Sequence, residues 1–99
     1  MFINKIQEDG KLTLALEGRL DTATSHQLQD ALLPALDVAR QVELDFSKLD
    51  YVSSAGLRVL LLGQKTAKEK GALMVLVSVS EEIMEVFEMT RFIDILTIR

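Results

Sequence analysis

Hydrophobic residues recur along this chain in two rhythms, and the changes of rhythm divide it into eight segments. Phe2 to Gln7 is a short mixed stretch with Ile3 and Ile6 apolar. Asp9-Gly10 follows, a pair favoured in two-residue hairpin turns. Lys11 to Leu20 then alternates, with Leu12, Leu14 and Leu16 on one face and Thr13 and Glu17 on the other. A strand with one buried face reads this way, so the first two segments predict an N-terminal hairpin. Gly18, late in the second strand, predicts a bulge or a close backbone approach.

From Asp21 the period lengthens. Asp21-Thr22-Ala23-Thr24 offers several capping oxygens, and Thr24 with Gln27 has capping-box spacing. Leu28, Ala31, Leu32, Ala35, Leu36 and Ala39 then follow a helical stripe. Pro34 interrupts it, but the stripe stays in phase on both sides, which predicts one helix with a local defect. Gln41 to Phe46 alternates again and reads as a strand. Ser47 to Ser53 reads as a loop anchored by Leu49 and by Tyr51-Val52. From Ser54 the spacing is helical once more through Leu57, Leu60, Leu61 and Ala67, with Val59 and Leu62 widening the buried face. Lys65, Lys68 and Lys70 precede a stop at Gly71, as suits a helix C-terminus. Ala72 to Val77 is a continuous apolar run, the mark of a strand covered on both faces. Ser78 to Glu82 opens a third helix with serine caps and acids in the first turn, and Ile83, Val86 and Phe87 form its core face. Arg91 to Arg99 reads as a final strand.

The order ββαβαβαβ predicts an α/β domain: a hairpin, then alternating helices and strands in a mixed, mostly parallel sheet with right-handed crossovers. Sites in open sheets of this kind lie beyond the carboxyl ends of the strands. Three segments meet that description: Arg19 to Thr24, Asp45 to Ser54, and Ser78 to Glu82. Asp21 in the first is expected beside the second.

Composition narrows the chemistry. With 99 residues, 48% of them hydrophobic, the chain makes one small domain, 1–99, with a core of its own. It has no cysteine, which removes disulfides, thiolate metal sites and cysteine nucleophiles. The formal charge is −4 and no basic run appears, so direct nucleic-acid binding is not expected. The longest apolar run has six residues, far short of the ~20 needed to cross a bilayer. No membrane insertion is expected, nor a signal peptide at MFINKIQEDG, and the expected setting is cytoplasmic. His26, the one histidine, has no partners spaced to share a metal or build a triad, so it reads as a surface helix residue. No phosphate-cradling glycine motif occurs. The four methionines, Met84 and Met89 among them, read as core filler or chain start. No metal and no cofactor are expected.

What remains is the stretch DFSKLDYVSSAGLRVLLL, from Asp45 to Leu62. Asp45 reads as a strand-end residue bonding to its own loop, and Asp21 as a helix cap. Ser53 or Ser54 reads first as an N-cap. A helix start also tolerates added negative charge, so a phosphoserine there would preserve the fold while changing the surface. The residues alone leave both uses open. Ala55 and Gly56 keep the surroundings small enough for a partner's backbone to approach.

Asp45-Phe46-Ser47 followed by Tyr51-Val52-Ser53-Ser54-Ala55-Gly56-Leu57-Arg58-Val59-Leu60 resembles the signature of STAS-domain anti-sigma-factor antagonists. Gly18-Arg19-Leu20-Asp21 resembles that family's other marker, and the order of elements is similar along essentially the whole chain. The resemblance implies a bacterial transcription regulator that is not an enzyme. Its unphosphorylated form binds an anti-sigma factor and frees a sigma factor. The anti-sigma factor is also a serine kinase, of the histidine-kinase-like ATPase type, whose phosphorylation releases the antagonist. A metal-dependent serine phosphatase restores it. The family's acceptor serine stands two residues before the glycine, which falls on Ser54. The family's usual aspartate before it is here Ser53, the alternative acceptor. The implied switch and partner surface comprises Asp21, Thr22, Asp45, Ser47, Ser53 and Ala55 to Arg58 (Ala55, Gly56, Leu57, Arg58), on a monomer or weak dimer. Two other readings stand beside this one: a STAS subunit of a membrane transport or lipid-trafficking complex, and a small-ligand or nucleotide-binding module.

Overall fold

A computed structural model describes residues 1–99. Strands β1 (Phe2–Glu8) and β2 (Lys11–Leu20) form the hairpin, antiparallel from Phe2 opposite Glu17 to Glu8 opposite Lys11. Strand β3 (Gln41–Val52) pairs parallel to β2, and β4 (Leu73–Val77) parallel to β3, so the sheet runs β1-β2-β3-β4. Helices α1 (Ser25–Val38), α2 (Ser54–Lys70) and α3 (Glu81–Met89) fill the intervals.

The parallel register stacks the alternating apolar positions into rows. Leu12, Val42 and Met74 form one row, and Leu14, Leu44 and Leu76 the next. All are buried, together with Leu28, Leu32 and Leu36 of α1 and Leu57 and Leu60 of α2. Phe87 of α3 joins this core with its ring 6.3 Å from that of Phe46. The opposite face of the sheet carries Thr13, Glu43 and Val75 in one row and Ala15, Asp45 and Val77 in the next. Met74, Val75 and Leu76 are all buried, so β4 is covered on both faces, as its unbroken apolar run requires.

α1 continues through Pro34 as one helix. Proline has no N–H to offer the carbonyl of Asp30, but both residues are exposed, so water can serve that carbonyl. α2 stops at Gly71, whose φ of 69° is left-handed and whose N–H, with that of Ala72, returns to the carbonyls of Lys68 and Ala67. α3 is capped by Ser80, whose hydroxyl accepts from the N–H of Ile83 at 3.2 Å. Met84 packs against the core, whereas Met89, expected inside, is 84% exposed at the end of α3.

Three expected boundaries moved. The loop read over Ser47 to Ser53 is strand as far as Val52. β3 keeps pairing with β2 to Val52 opposite Leu20, through register shifts beside Leu16 and at Gly18, where φ is 106°. The buried positions therefore step from Val42, Leu44 and Phe46 to Leu49 and Val52. The extra residue at each shift breaks the period of two without breaking the ladder, so the alternation rule reads a loop. The first helix begins at Ser25, not within Asp21 to Thr24, which form a separate turn. The capping box is not made: Thr24 gives no side-chain cap, and the Gln27 amide donates to the carbonyl of Met1 at 2.8 Å. Last, Arg91 to Arg99 is not a strand. Phe92–Asp94 is a turn of 3-10 helix, and pairing with the sheet is limited to a single parallel bridge between Ile98 and Leu76, made by the Thr97 carbonyl and the Arg99 N–H. Its apolar residues are used one by one to close the edge of β4 and the end of α3.

Candidate functional site

Past the last β3–β4 pair, β2 runs on five residues from Ala15 to Leu20, and β3 seven from Asp45 to Val52, the two extra being those of the register shifts. That carries their carboxyl ends about 17 Å beyond β4. At the tip, the N–H of Ser53 donates to the carbonyl of Leu20 at 2.9 Å, which fixes the start of α2 against the loop that holds Asp21. Gly56 makes this closeness possible. A Cβ there would lie 2.7 Å from Leu20 Cγ and 3.0 Å from its carbonyl oxygen, so any larger residue would push the helix off the strand.

The two serines differ in their surroundings. Ser53 is the N-cap: its backbone is extended, and its hydroxyl accepts from the N–H of Gly56 at 3.3 Å. Ser54 is the first helical residue. It is exposed, and its hydroxyl makes no hydrogen bond within the chain. The N–H of Leu57 bonds to the Ser53 carbonyl at 2.9 Å. The N–H groups of Ser54 and Ala55 point out of the helix start without an acceptor in the chain, leaving the partial positive charge of a helix N-terminus at the surface.

Asp21 organises the neighbouring turn. Its Oδ1 accepts from the N–H of Ala23 at 3.0 Å and of Thr24 at 3.1 Å. The Thr24 hydroxyl accepts from the Asp21 N–H at 2.9 Å and donates to the carbonyl of Arg19 at 2.7 Å. Arg19 Nε lies 3.7 Å from Asp21 Oδ2, and its guanidinium stacks 4.2 Å above the ring of Tyr51, its register neighbour on β3. Desolvation raises the Asp21 carboxyl. The bonds from Thr24 and Ala23 and the charge of Arg19 outweigh it and hold the group below the ordinary aspartate range.

Asp21, Thr22, Ser53, Ser54, Ala55 and Arg58 thus share one end of the molecule. Gly56 and Leu57 are there too, but buried, and they serve the helix rather than the surface. Asp45 and Ser47 are not part of this cluster. They lie on the other face of the sheet, about five β2 residues back, where the Ser47 N–H donates to Asp45 Oδ1 at 2.9 Å. That is the local turn expected of Asp45. With Phe2, Asn4 and Ala15 the pair borders a separate hollow. The loop from Ser78 to Glu82 is also remote, because β4 ends opposite Asp45.

Sequence reasoning did not single out the groove beside Ser54. It lies between α1 and α2, has a volume of ≈ 450 Å³, and is bordered by Thr22, Ser25, His26 and Gln29 on one side and Ala55 and Arg58 on the other. Val59 and Leu62 supply its apolar part. Leu62, expected to be buried, is 39% exposed here. Both sides follow helical spacing in the sequence, but which helix faces which is set by the fold. No group of three or more His, Cys, Asp or Glu side chains converges to hold a metal, and no helix is long and apolar enough to cross a membrane.

A hairpin leading into parallel crossovers, with a helix entering at a serine pair beside an aspartate turn, defines a small α/β recognition domain. The chain belongs to the STAS domain family: the family model described as "Mlab, STAS domain" matches residues 3–97. It is 40% identical over 88 residues to BtrV of Bordetella bronchiseptica, which carries the name anti-sigma factor antagonist; the match covers 88% of this chain and 76% of that protein. The fold is similar to that of a Thermotoga maritima protein also named as an anti-sigma factor antagonist (TM-score 0.88, 20% identity, 97% of this chain and 84% of that one). It is also similar to that of SpoIIAA, named as a Bacillus cell fate determinant and an anti-sigma factor antagonist, in its phosphorylated form (TM-score 0.77, 15% identity, 99% and 91%).

Proposed function

We propose that this protein is an anti-sigma factor antagonist whose hold on its partner is broken by phosphorylation of Ser54. The observation that carries the reading is the division of labour at the start of α2. Ser53 is committed to the cap, while Ser54 is exposed with a free hydroxyl on the same helix terminus. The unmodified surface around Ser54 docks an anti-sigma factor and so releases a sigma factor.

That anti-sigma factor is also the kinase. The γ-phosphoryl group of ATP passes to Ser54 Oγ: the new P–O bond forms to serine, the bond to the β-phosphate breaks, ADP leaves, and the serine proton goes to a base of the kinase. The product adds about 1.5 to 2 negative charges to a surface whose geometry is otherwise unchanged. The free N–H groups of Ser54 and Ala55 and the helix dipole favour those charges by about 0.3–1 kcal/mol. The modified protein therefore stays folded while the partner meets new bulk and charge. A serine phosphatase reverses the step.

The test is phosphorylation by the kinase-type anti-sigma factor of the same cell, read by intact mass and fragment ions. One phosphate on Ser54, a complex of Ser54→Ala that persists in ATP, and weak binding by Ser54→Glu are expected. Labelling of neither serine, or full binding by Ser54→Glu, overturns the reading. Recovery of a transport ATPase instead of a kinase in pull-downs would point to the transport-complex alternative.

A further inference from the structure

We propose that the groove between α1 and α2 is where the partner seats an acidic side chain, with Arg58 as the residue that reads its carboxylate. This rests on the reading of Ser54 as the switch and names what the switch acts upon.

Charge is the first argument. The chain has 15 acidic residues against 11 basic ones, yet no carboxylate borders this groove. Arg58 is exposed and takes part in no ion pair or hydrogen bond within the chain, unlike Arg19, Arg91 or Lys70. Around it stand donors: the Thr22 hydroxyl, the Gln29 amide, the His26 ring and the buried Ser25 hydroxyl. Ser25 is 7% exposed, and the only bond of its hydroxyl is a long one, 3.4 Å, to the carbonyl of Thr22. A carboxylate accepts from several donors at once, and guanidinium meets it with two parallel bonds.

Shape is the second argument. The wall formed by Val59 and Leu62 suits the methylene stem of a glutamate or an apolar neighbour in the partner's chain. The ≈ 450 Å³ of space suits one or two side chains.

Position joins the groove to the switch. Arg58 follows Ser54 by four residues, so the two share a helix face, and helical side chains lean toward the N-terminus. A phosphate on Ser54 therefore lies within reach of the same guanidinium. It repels the partner's carboxylate and competes with it for Arg58. Release then follows from the loss of one identified contact rather than from bulk alone.

The experiment uses the full chain and the anti-sigma factor that labels Ser54, with binding measured by calorimetry at low and high salt and each variant checked by circular dichroism. Arg58→Glu is expected to weaken binding by about tenfold or more. Arg58→Lys should stay within a few-fold, and Arg58→Ala should fall between and flatten the salt dependence. If Arg58→Glu binds within twofold of wild type while wild type is labelled at Ser54, the groove proposal is wrong and the switch stands. If wild type is neither bound nor labelled, the switch reading fails, and an NMR titration with acetyl-Leu-Glu-amide decides the groove. Saturable shifts at His26, Gln29 and Arg58 that acetyl-Leu-Gln-amide does not produce support it; equal or absent shifts overturn it.

Discussion

Exchange of each serine for alanine separates the cap from the switch. In Ser53→Ala the N–H of Gly56 loses its acceptor. That N–H is partly buried and its bond is 3.3 Å long, so the cost belongs in the lower half of the range for lost caps, about 0.5–1 kcal/mol. In a chain of 99 residues each kcal/mol moves the melting temperature by about 4–8 °C, so a fall of roughly 2–8 °C is expected. Ser54→Ala removes an exposed hydroxyl without a partner, and its stability should stay within about 0.5 kcal/mol of wild type. Kinase labelling should run the other way: kept in Ser53→Ala, abolished in Ser54→Ala. Thermal and urea melts of both variants beside a phosphorylation assay give all four values. If Ser54→Ala is the destabilised one, or labelling is lost only in Ser53→Ala, the assignment of roles is reversed and the reasoning fails.

Further outcomes follow from the same geometry. Gly56→Ala should lose about 1–3 kcal/mol to overpacking against Leu20, including its immovable carbonyl, and Gly63→Ala, whose Cβ would meet the fully buried Leu32 Cδ2 at 2.5 Å and Met74 Sδ at 2.9 Å, should lose a similar amount in urea melts. Phosphorylated wild type should melt no lower than the unmodified protein, because charge at the start of α2 is favoured by ~0.3–1 kcal/mol; a clear drop on calorimetry would contradict this. Asp21 has a depressed carboxyl in the folded state, so its contribution is present above the ordinary aspartate value, near pH 4, and is lost as pH falls through the lower folded value. The gap in melting temperature between wild type and Asp21→Asn should therefore be full at pH 6 and close in strong acid; a gap that widens in acid would refute the sign. Phe87→Ala, removing a fully buried ring that packs on Phe46, should cost about 3–5 kcal/mol.

Much of this protein is written in local pattern. The hairpin at Asp9-Gly10, the stops at Gly71, the cap at Ser80, the single helix through Pro34 and the doubly covered β4 all depend on residues within a few positions of one another, and each was legible. The readings that failed needed a neighbour. The reach of β3 to Val52 depends on β2 absorbing two register shifts. The residues after Arg91 hold a strand-like composition, but they turn through Phe92–Asp94 and pair with the edge of β4 only in the one bridge at Ile98. Asp45 and Ser47 belong to the same sequence motif as Ser54, yet pleat and strand rise place them on the other face and about 17 Å away.

The start of α2 shows the same division most sharply. Its sequence alone established that a helix begins among Ser53, Ser54, Ala55 and Gly56, because capping oxygens and helical spacing are local properties. It did not say which serine caps, since either hydroxyl can reach a first-turn N–H. Tertiary structure decided that. The ladder with β2 carries the strand to Val52, the Ser53 N–H is held by Leu20, and Gly56 lets the helix sit close. Ser53 is left facing the helix and Ser54 facing out. The groove at Arg58 arises in the same way, from two helix faces that have no relation in sequence until the sheet sets them side by side.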